Sequence, residues 1–382
     1  MPPRRPELDT LRITIVIGLV FFHAALVFDA NDDFYVKNAG TTEVTTILAG
    51  LGVVWAMPLL FLVAGVGSWH SLARRGPRTF AVERLLRLGV PLIFATLTIV
   101  PVPQWLRLRS QSGYTGSYWD FLPSFFAVHL SPPDFPFIVQ GDHFETGHLW
   151  FVVLLLTFSL MLAAAVAWLP QPGERLAAAV RHPGVIFLPA LPITLVNAVA
   201  GLEEGFAAWN RWVYLLFFLY GYVLATDPRF TEAFRRHAPA AAVLAFLAFG
   251  ACSPGFLSDG ADPFTGRSAL AVTTRVFFSI SGWCCLVAIL GFLERRRRVP
   301  STGTGRGRAY LGEAALPVYV LHQPIVVAVA YVVVSWDAPI VVGYAVIVVI
   351  SLVLTFAAYD VLVRRTRVTR FLFGMRAGDN RA

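Results

Sequence analysis

Charge is scarce in this sequence. Only 14% of its 382 residues are Asp, Glu, Lys or Arg, where a soluble domain carries about 25%. Lysine is nearly absent: Lys37 stands alone against thirty arginines. Cysteine is rare as well. Cys252, Cys284 and Cys285 offer no disulfide framework, and an adjacent pair is not a metal-ligand spacing, so no metal site is expected. A nucleophile elbow, a Ser-His-Asp signature and a P-loop lysine are all missing. Alternating ten-residue segments are missing too, which excludes a membrane β-barrel. What fills the chain is apolar. Hydrophobic residues reach 57%, with 31 Phe, more than a soluble interior of this length can hide. The fold class this implies is all-α, a polytopic integral membrane protein.

A span needs about 20 mostly apolar residues. About ten transmembrane helices fit, at 11–28, 46–69, 88–102, 148–169, 184–200, 211–225, 239–252, 269–293, 312–334 and 339–362. With the N-terminus in the cytoplasm, 25 of the 31 basic residues fall in cytoplasmic segments, the asymmetry of the positive-inside rule. Every even-numbered span then ends in a basic loop, so both termini are expected to be cytoplasmic. The net charge of +8 reports topology, and no nucleic-acid partner follows from it. His23 interrupts the first span and no small-residue cleavage site follows, so that span is expected to be a retained helix and not a signal peptide.

Residues 1–382 read as one membrane domain, with a basic C-terminal tail at 364–382. The largest loop, about 103–147, is expected outside. It carries Arg107, Arg109, Asp120, His129, Asp134, Asp142, His143 and Glu145. Its rings, among them Tyr114, Tyr118, Trp119 and Phe121, suit the bilayer interface better than stacking on a sugar. Ser301-Thr-Gly-Thr-Gly-Arg-Gly-Arg308 reads as a cytoplasmic linker.

An ionisable group within the bilayer is costly, and so points to function. Arg12 and His23 are eleven residues apart. On a helix that is about 20° past three full turns and about 16 Å along the axis. One face therefore carries a cation at the inner boundary and an imidazole past the midplane, as a path through the protein would. Taken singly, Arg12 is equally an inner anchor, and the less favoured alternative for His23 is a histidine bonded to a neighbouring helix. His322 sits mid-span in Tyr319-Val-Leu-His-Gln-Pro324. Pro324 frees a carbonyl there that Gln323 is placed to serve. His148 opens the fourth span in Gly147-His-Leu-Trp-Phe151, with Glu145 and Asp142 just before it. A carboxylate beside an imidazole would fix its tautomer and raise its basicity. Trp150 is either an interfacial anchor or a substrate contact, and Arg275 either meets an anionic substrate or snorkels. This spacing favours histidine base catalysis without a covalent protein intermediate.

Five motifs, in order, resemble one family. Glu7-Leu-Asp-Thr-Leu-Arg12 with His23-Ala is similar to the opening signature of the membrane acyltransferase 3 family. Pro58-Leu-Leu-Phe-Leu-Val-Ala-Gly65 is similar to its second-span motif. Phe80 with Arg84-x-x-Arg87-x-x-x-Pro91 resembles its first cytoplasmic basic motif. Gly147-His-Leu-Trp-Phe151 and Tyr319 to Pro324 resemble its fourth-span start and its Leu-His-Gln-Pro element. Within the family the sequence is most similar to the branch that includes the glucan-biosynthesis succinyltransferases. The O-antigen acetyltransferase branch usually continues His-Leu-Trp into Ser-Val-Glu-Glu. Here Phe151-Val-Val-Leu-Leu replaces it, so that carboxylate pair is absent and Glu145 and Asp142 substitute by position. No attached esterase-like domain is expected.

The resemblance implies transfer of an acyl group, acetyl or succinyl in type, from cytoplasmic acyl-CoA to a hydroxyl of an extracytoplasmic carbohydrate or lipid-linked acceptor. It implies a bacterial inner-membrane location among membrane lipids and no bound cofactor, acyl-CoA being the donor substrate. Arg12, Arg84 and Arg87 are the candidates for CoA phosphates, since Arg binds phosphate in bidentate fashion. His23 would take the acceptor proton, with Glu145, His148 and His322 assisting, and Arg275 and Trp150 would hold substrate. Two other functions fit the residues: a transporter or flippase for a lipid-linked sugar or anionic substrate, and a non-catalytic member of a polysaccharide-synthesis complex.

Overall fold

The computed structural model describes residues 6–131, 135–168, 174–258, 262–296 and 305–375. Arg4, Arg5, Asp134, Arg297, Arg298, Arg376, Arg381 and residues 301–304 lie outside that set. In chain order the helices are α1 (Pro6–Leu26), α2 (Glu43–Val53), α3 (Ala56–Arg84), α4 (Val90–Thr98), α5 (Pro101–Gln111), α6 (Tyr118–Phe125), α7 (Trp150–Ala165) and α8 (Glu174–Ala179). They continue as α9 (Ala190–Ala200), α10 (Arg211–Leu224), α11 (Pro228–Leu257), α12 (Ala269–Arg296), α13 (Gly305–Val333), α14 (Ile340–Ala358) and α15 (Arg367–Leu372). Val128–His129 and Gln140–Gly141 pair as a short antiparallel ladder.

Among the described residues, seven helical segments are long and apolar enough to cross a membrane, so this is a helical multi-pass membrane protein. One of them, Glu43–Gln111, runs for 69 residues and contains the second and third spans read from the sequence. It is not one rod. At Gly76 the backbone turns to φ 74°, ψ 168°, and Pro77 follows. Proline disfavours a helical conformation in the residue before it, and glycine alone adopts that dihedral without strain. The break falls among Arg74, Arg75 and Arg78. The fifth span corresponds to the shorter apolar helix Val185–Ala200. The sixth lies on α10, whose 14 residues fall short of the bilayer requirement of about 20.

Two expectations about loops change. The segment 103–147 begins inside α5, which starts on Pro101, where proline's missing N–H is harmless. It then forms α6, capped by Ser117 and Asp120 in a reciprocal box. Phe121, Phe125, Phe144 and His143 pack together behind it. The presumed linker is also partly helical, since Gly305 to Arg308 open α13.

The chain divides into two compact units. The first comprises Asp9–Gly50, Ala81–Thr157 and Thr304–Ala382. Its core joins Val20, Ala24 and Val27 to Val327 and Ala330 of α13 and Ile347 of α14. The second comprises Met1–Leu8, Leu51–Phe80 and Phe158–Gly303. There helices meet through glycine. A Cβ on Gly221 would lie 1.9 Å from the Leu62 carbonyl oxygen, and one on Gly65 1.9 Å from that of Phe218. Small residues at such crossings let backbones approach where lipid provides no hydrophobic drive. Buried Trp209 and Trp283 each donate the indole N–H, to the carbonyls of Val53 and Ile186, as buried tryptophan requires.

Candidate active site

Three histidines from distant parts of the sequence meet within the first unit. His23 sits in the last turn of α1. His148 sits in the 3-10 turn Gly147–Leu149 that leads into α7. His322 lies mid-way along α13. The rings of His23 and His322 are 5.2 Å apart between centroids, and those of His148 and His322 5.1 Å. His322 and His148 are buried, and His23 is half-buried.

The backbone fixes which nitrogens carry protons. His322 Nδ1 lies 2.6 Å from the Tyr319 carbonyl oxygen. A carbonyl only accepts, so Nδ1 carries the hydrogen and the neutral ring leaves Nε2 as a bare acceptor. That Nε2 is buried and has no hydrogen-bond partner among the described residues, and the same holds for His23 Nδ1. His148 is held the other way. Its Nε2 donates to the Val320 carbonyl at 3.1 Å. Val320 is the residue whose carbonyl loses its helical donor to Pro324. The freed carbonyl is therefore served by His148, where the sequence pointed to Gln323. Gln323 instead accepts from the His148 backbone N–H at 3.2 Å, and the Tyr319 hydroxyl donates to the His148 carbonyl.

Glu145 lies beside this cluster but does not bond an imidazole in the described residues. Its Oε1 accepts from the Tyr35 hydroxyl, and Gln104 also hydrogen-bonds it. Burial pushes the Glu145 carboxyl above the usual carboxylate range, opposed by the Tyr35 hydrogen bond and the charge of Arg107. Burial and the Glu145 charge together raise the Tyr35 phenol well above its ordinary value. The tautomer-setting role expected of a carboxylate is thus filled by two backbone carbonyls. Asp142 is exposed. Tyr35, Phe34 and Gln104 were not singled out from sequence. The only signal was a Phe-Tyr pair in the stretch after α1, with no periodicity to link it to His23.

The arginines are placed as follows. Arg12 lies on α1, with His23 on the same continuous helix. Its side chain is 40% exposed and Nη1 is 3.9 Å from Asp9. Arg84 closes α3 and Arg87 lies in the π-helical turn Leu85–Gly89. Arg87 Nη1 is 3.7 Å from Glu83, and Nε donates to the Gly374 carbonyl at 3.3 Å. Trp150 opens α7, half-buried, edge-on to Phe151 at 6.5 Å. Arg275 belongs to the second unit. It is buried, and it donates to the carbonyls of Gly266, Ala198, Asn197 and Ala271. Two of those carbonyls end α9, where a cation complements the helix dipole.

Comparison with known families gives one finding. The acyltransferase 3 family, described as an acyltransferase domain, matches residues 5–361. Neither the curated proteins nor the solved structures yield a match.

Proposed function

The chain belongs to the acyltransferase 3 family, and from that premise we propose that it moves an acyl group from cytoplasmic acyl-CoA to a hydroxyl of an extracytoplasmic glycan or lipid-linked acceptor. Membership makes the protein a membrane acyltransferase. The donor, acceptor and base are our reading. An acetyl or succinyl donor, a bacterial inner membrane, about ten spans and cytoplasmic termini complete it.

One observation carries the base assignment: among the described residues His23 Nδ1 and His322 Nε2 are buried nitrogens with no hydrogen-bond partner, on adjacent rings. His23 accepts the proton of the acceptor hydroxyl as its oxygen attacks the thioester carbonyl. The new imidazolium faces His322, whose Nδ1–H is committed to Tyr319 and whose Nε2 is therefore able only to accept. The tetrahedral adduct then breaks its C–S bond. The coenzyme leaves as thiolate and takes the proton from His23, giving the ester and free thiol. Such positioned proton transfer is worth about 10²–10⁴-fold. Arg12, Arg84 and Arg87 are assigned to the donor phosphates. Trp150 is assigned to substrate, and Arg275, read from the sequence as a substrate contact, is engaged by carbonyls of its own unit.

Purified protein in lipid, given labelled acetyl-CoA or succinyl-CoA and an envelope-glycan extract, tests this. The wild type is expected to yield labelled ester, and His23→Ala to lose at least about 10²-fold in rate while remaining folded. Normal turnover by that variant would remove His23 from the mechanism. Movement of glycan across vesicles without acyl donor or covalent product would favour a transporter instead.

A further inference from the structure

The segment between α1 and α2 sets consecutive residues against His23 and against Glu145, in the turn that leads to His148. Phe34 is buried and stacks on His23, with centroids 5.8 Å apart and planes 20° apart. Tyr35 is buried and donates to Glu145, three residues before His148. The Gln323 side chain, which receives the His148 backbone N–H, also hydrogen-bonds the Tyr35 phenol. Gly147 sits among these groups at φ 50°. A Cβ there would lie 3.3 Å from the Tyr35 hydroxyl, 3.5 Å from Gln323 Oε1 and 3.7 Å from Glu145 Oε1.

The dipeptide is itself held from behind. Gln111 Nε2 donates to the Phe34 carbonyl at 3.1 Å and Ser110 Oγ to that of Tyr35 at 3.2 Å. Arg107 pairs with Asp33. Lys37, the sole lysine, donates to the carbonyls of Leu26 and Asp29, closing the C-terminus of α1 as a cation suits. A segment without regular structure is thus fixed at both ends by side chains that do no chemistry.

We infer that Phe34 and Tyr35 are positioning residues that set the His23 ring and the His148 turn in register with His322. Phe34 acts by its face and Tyr35 through Glu145 and Gln323. This rests on the histidines being the transfer site, and it adds to that reading a device outside the helices that carry them. An aromatic face against an imidazole fixes the ring plane. The phenol ties Glu145, two residues before Gly147 where backbone freedom is greatest, to Gln323 of α13, and Gln104 of α5 holds the same carboxylate.

The test uses full-length protein labelled with 15N-histidine in micelles. Ring-nitrogen resonances report tautomer and environment without any substrate. Phe34→Leu is expected to shift the His23 resonances and Tyr35→Phe those of His148, with His237 of the second unit unmoved. In the labelled acetyl-CoA assay, both are expected to lower kcat about tenfold, as loss of one net hydrogen bond or stack would, with KM unchanged. Glu145→Gln retains an acceptor oxygen and is expected to preserve the wild-type spectrum, while Glu145→Ala reproduces Tyr35→Phe. Unmoved resonances and unchanged kcat in folded Phe34→Leu and Glu145→Ala would overturn the inference. Shifted resonances in a protein with no transferase activity would leave the positioning intact and remove the reading of the site as a transfer centre.

Discussion

At the scale of single residues, the chemistry depends on where the backbone leaves a lone pair. Pro324 has no N–H to give Val320, so that carbonyl turns to His148. Pro324→Ala restores the helical donor. Alanine exceeds proline within a helix by about 3 kcal/mol, so the melting temperature is expected to rise. His148 then competes for its acceptor, and kcat is expected to fall about tenfold; a rise in both would separate His148 from the site. Glu145 gives a pH signature. Burial raises its carboxyl, so the folded state binds that proton more tightly than the unfolded chain. Its contribution to stability is complete at acid pH and is lost as pH rises through the folded value. Glu145→Gln removes this slope. Melting curves from about pH 4 to pH 8 are expected to show the variant gaining on the wild type as pH rises. A constant difference would mean that Glu145 is not the titrating group.

At the scale of elements, glycine decides which crossings tolerate change. Gly221→Ala drives a Cβ to 1.9 Å from the Leu62 carbonyl, and a backbone cannot yield as a flexible side chain does. A loss of about 3 kcal/mol is expected, read as a large fall in melting temperature. Gly250 of α11 is exposed, and a Cβ there meets nothing within 4 Å. Gly250→Ala is expected to be neutral or to gain up to about 1 kcal/mol. Equal effects at the two sites would contradict the close approach. The elements also show what was legible in the sequence. His23, His148 and His322 stood out because polar groups in apolar runs are costly, and the structure brings all three together. The freed carbonyl at Pro324 was legible, but its partner was not. Spacing rules stop at the end of a helix, and His148 arrives from another part of the chain. Phe34 and Tyr35 were invisible for the same reason. Their stretch has no period, and tertiary hydrogen bonds from α5 set it. The helical start of 103–147 was written in Pro101 and in the Ser117 cap, but aromatic and proline content masked both.

At the scale of the whole molecule, 25 of the 31 basic residues are read as orienting the chain, and Arg12, Arg84 and Arg87 among them are also proposed to meet the donor. Orientation has its own test. A reporter fused after residue 375 is expected to be active only if functional in the cytoplasm, and the opposite result would reverse the proposed sides. The larger claim is that donor and acceptor meet across the membrane at His23. Sealed vesicles of both orientations, given labelled acyl-CoA and loaded with glycan acceptor, test it most directly. Inverted vesicles, cytoplasmic face outward, are expected to deposit label on the enclosed glycan. Right-side-out vesicles are expected to do so only after permeabilisation, and His23→Ala in neither case. Equal labelling from both faces, or undiminished labelling by His23→Ala, would contradict the account.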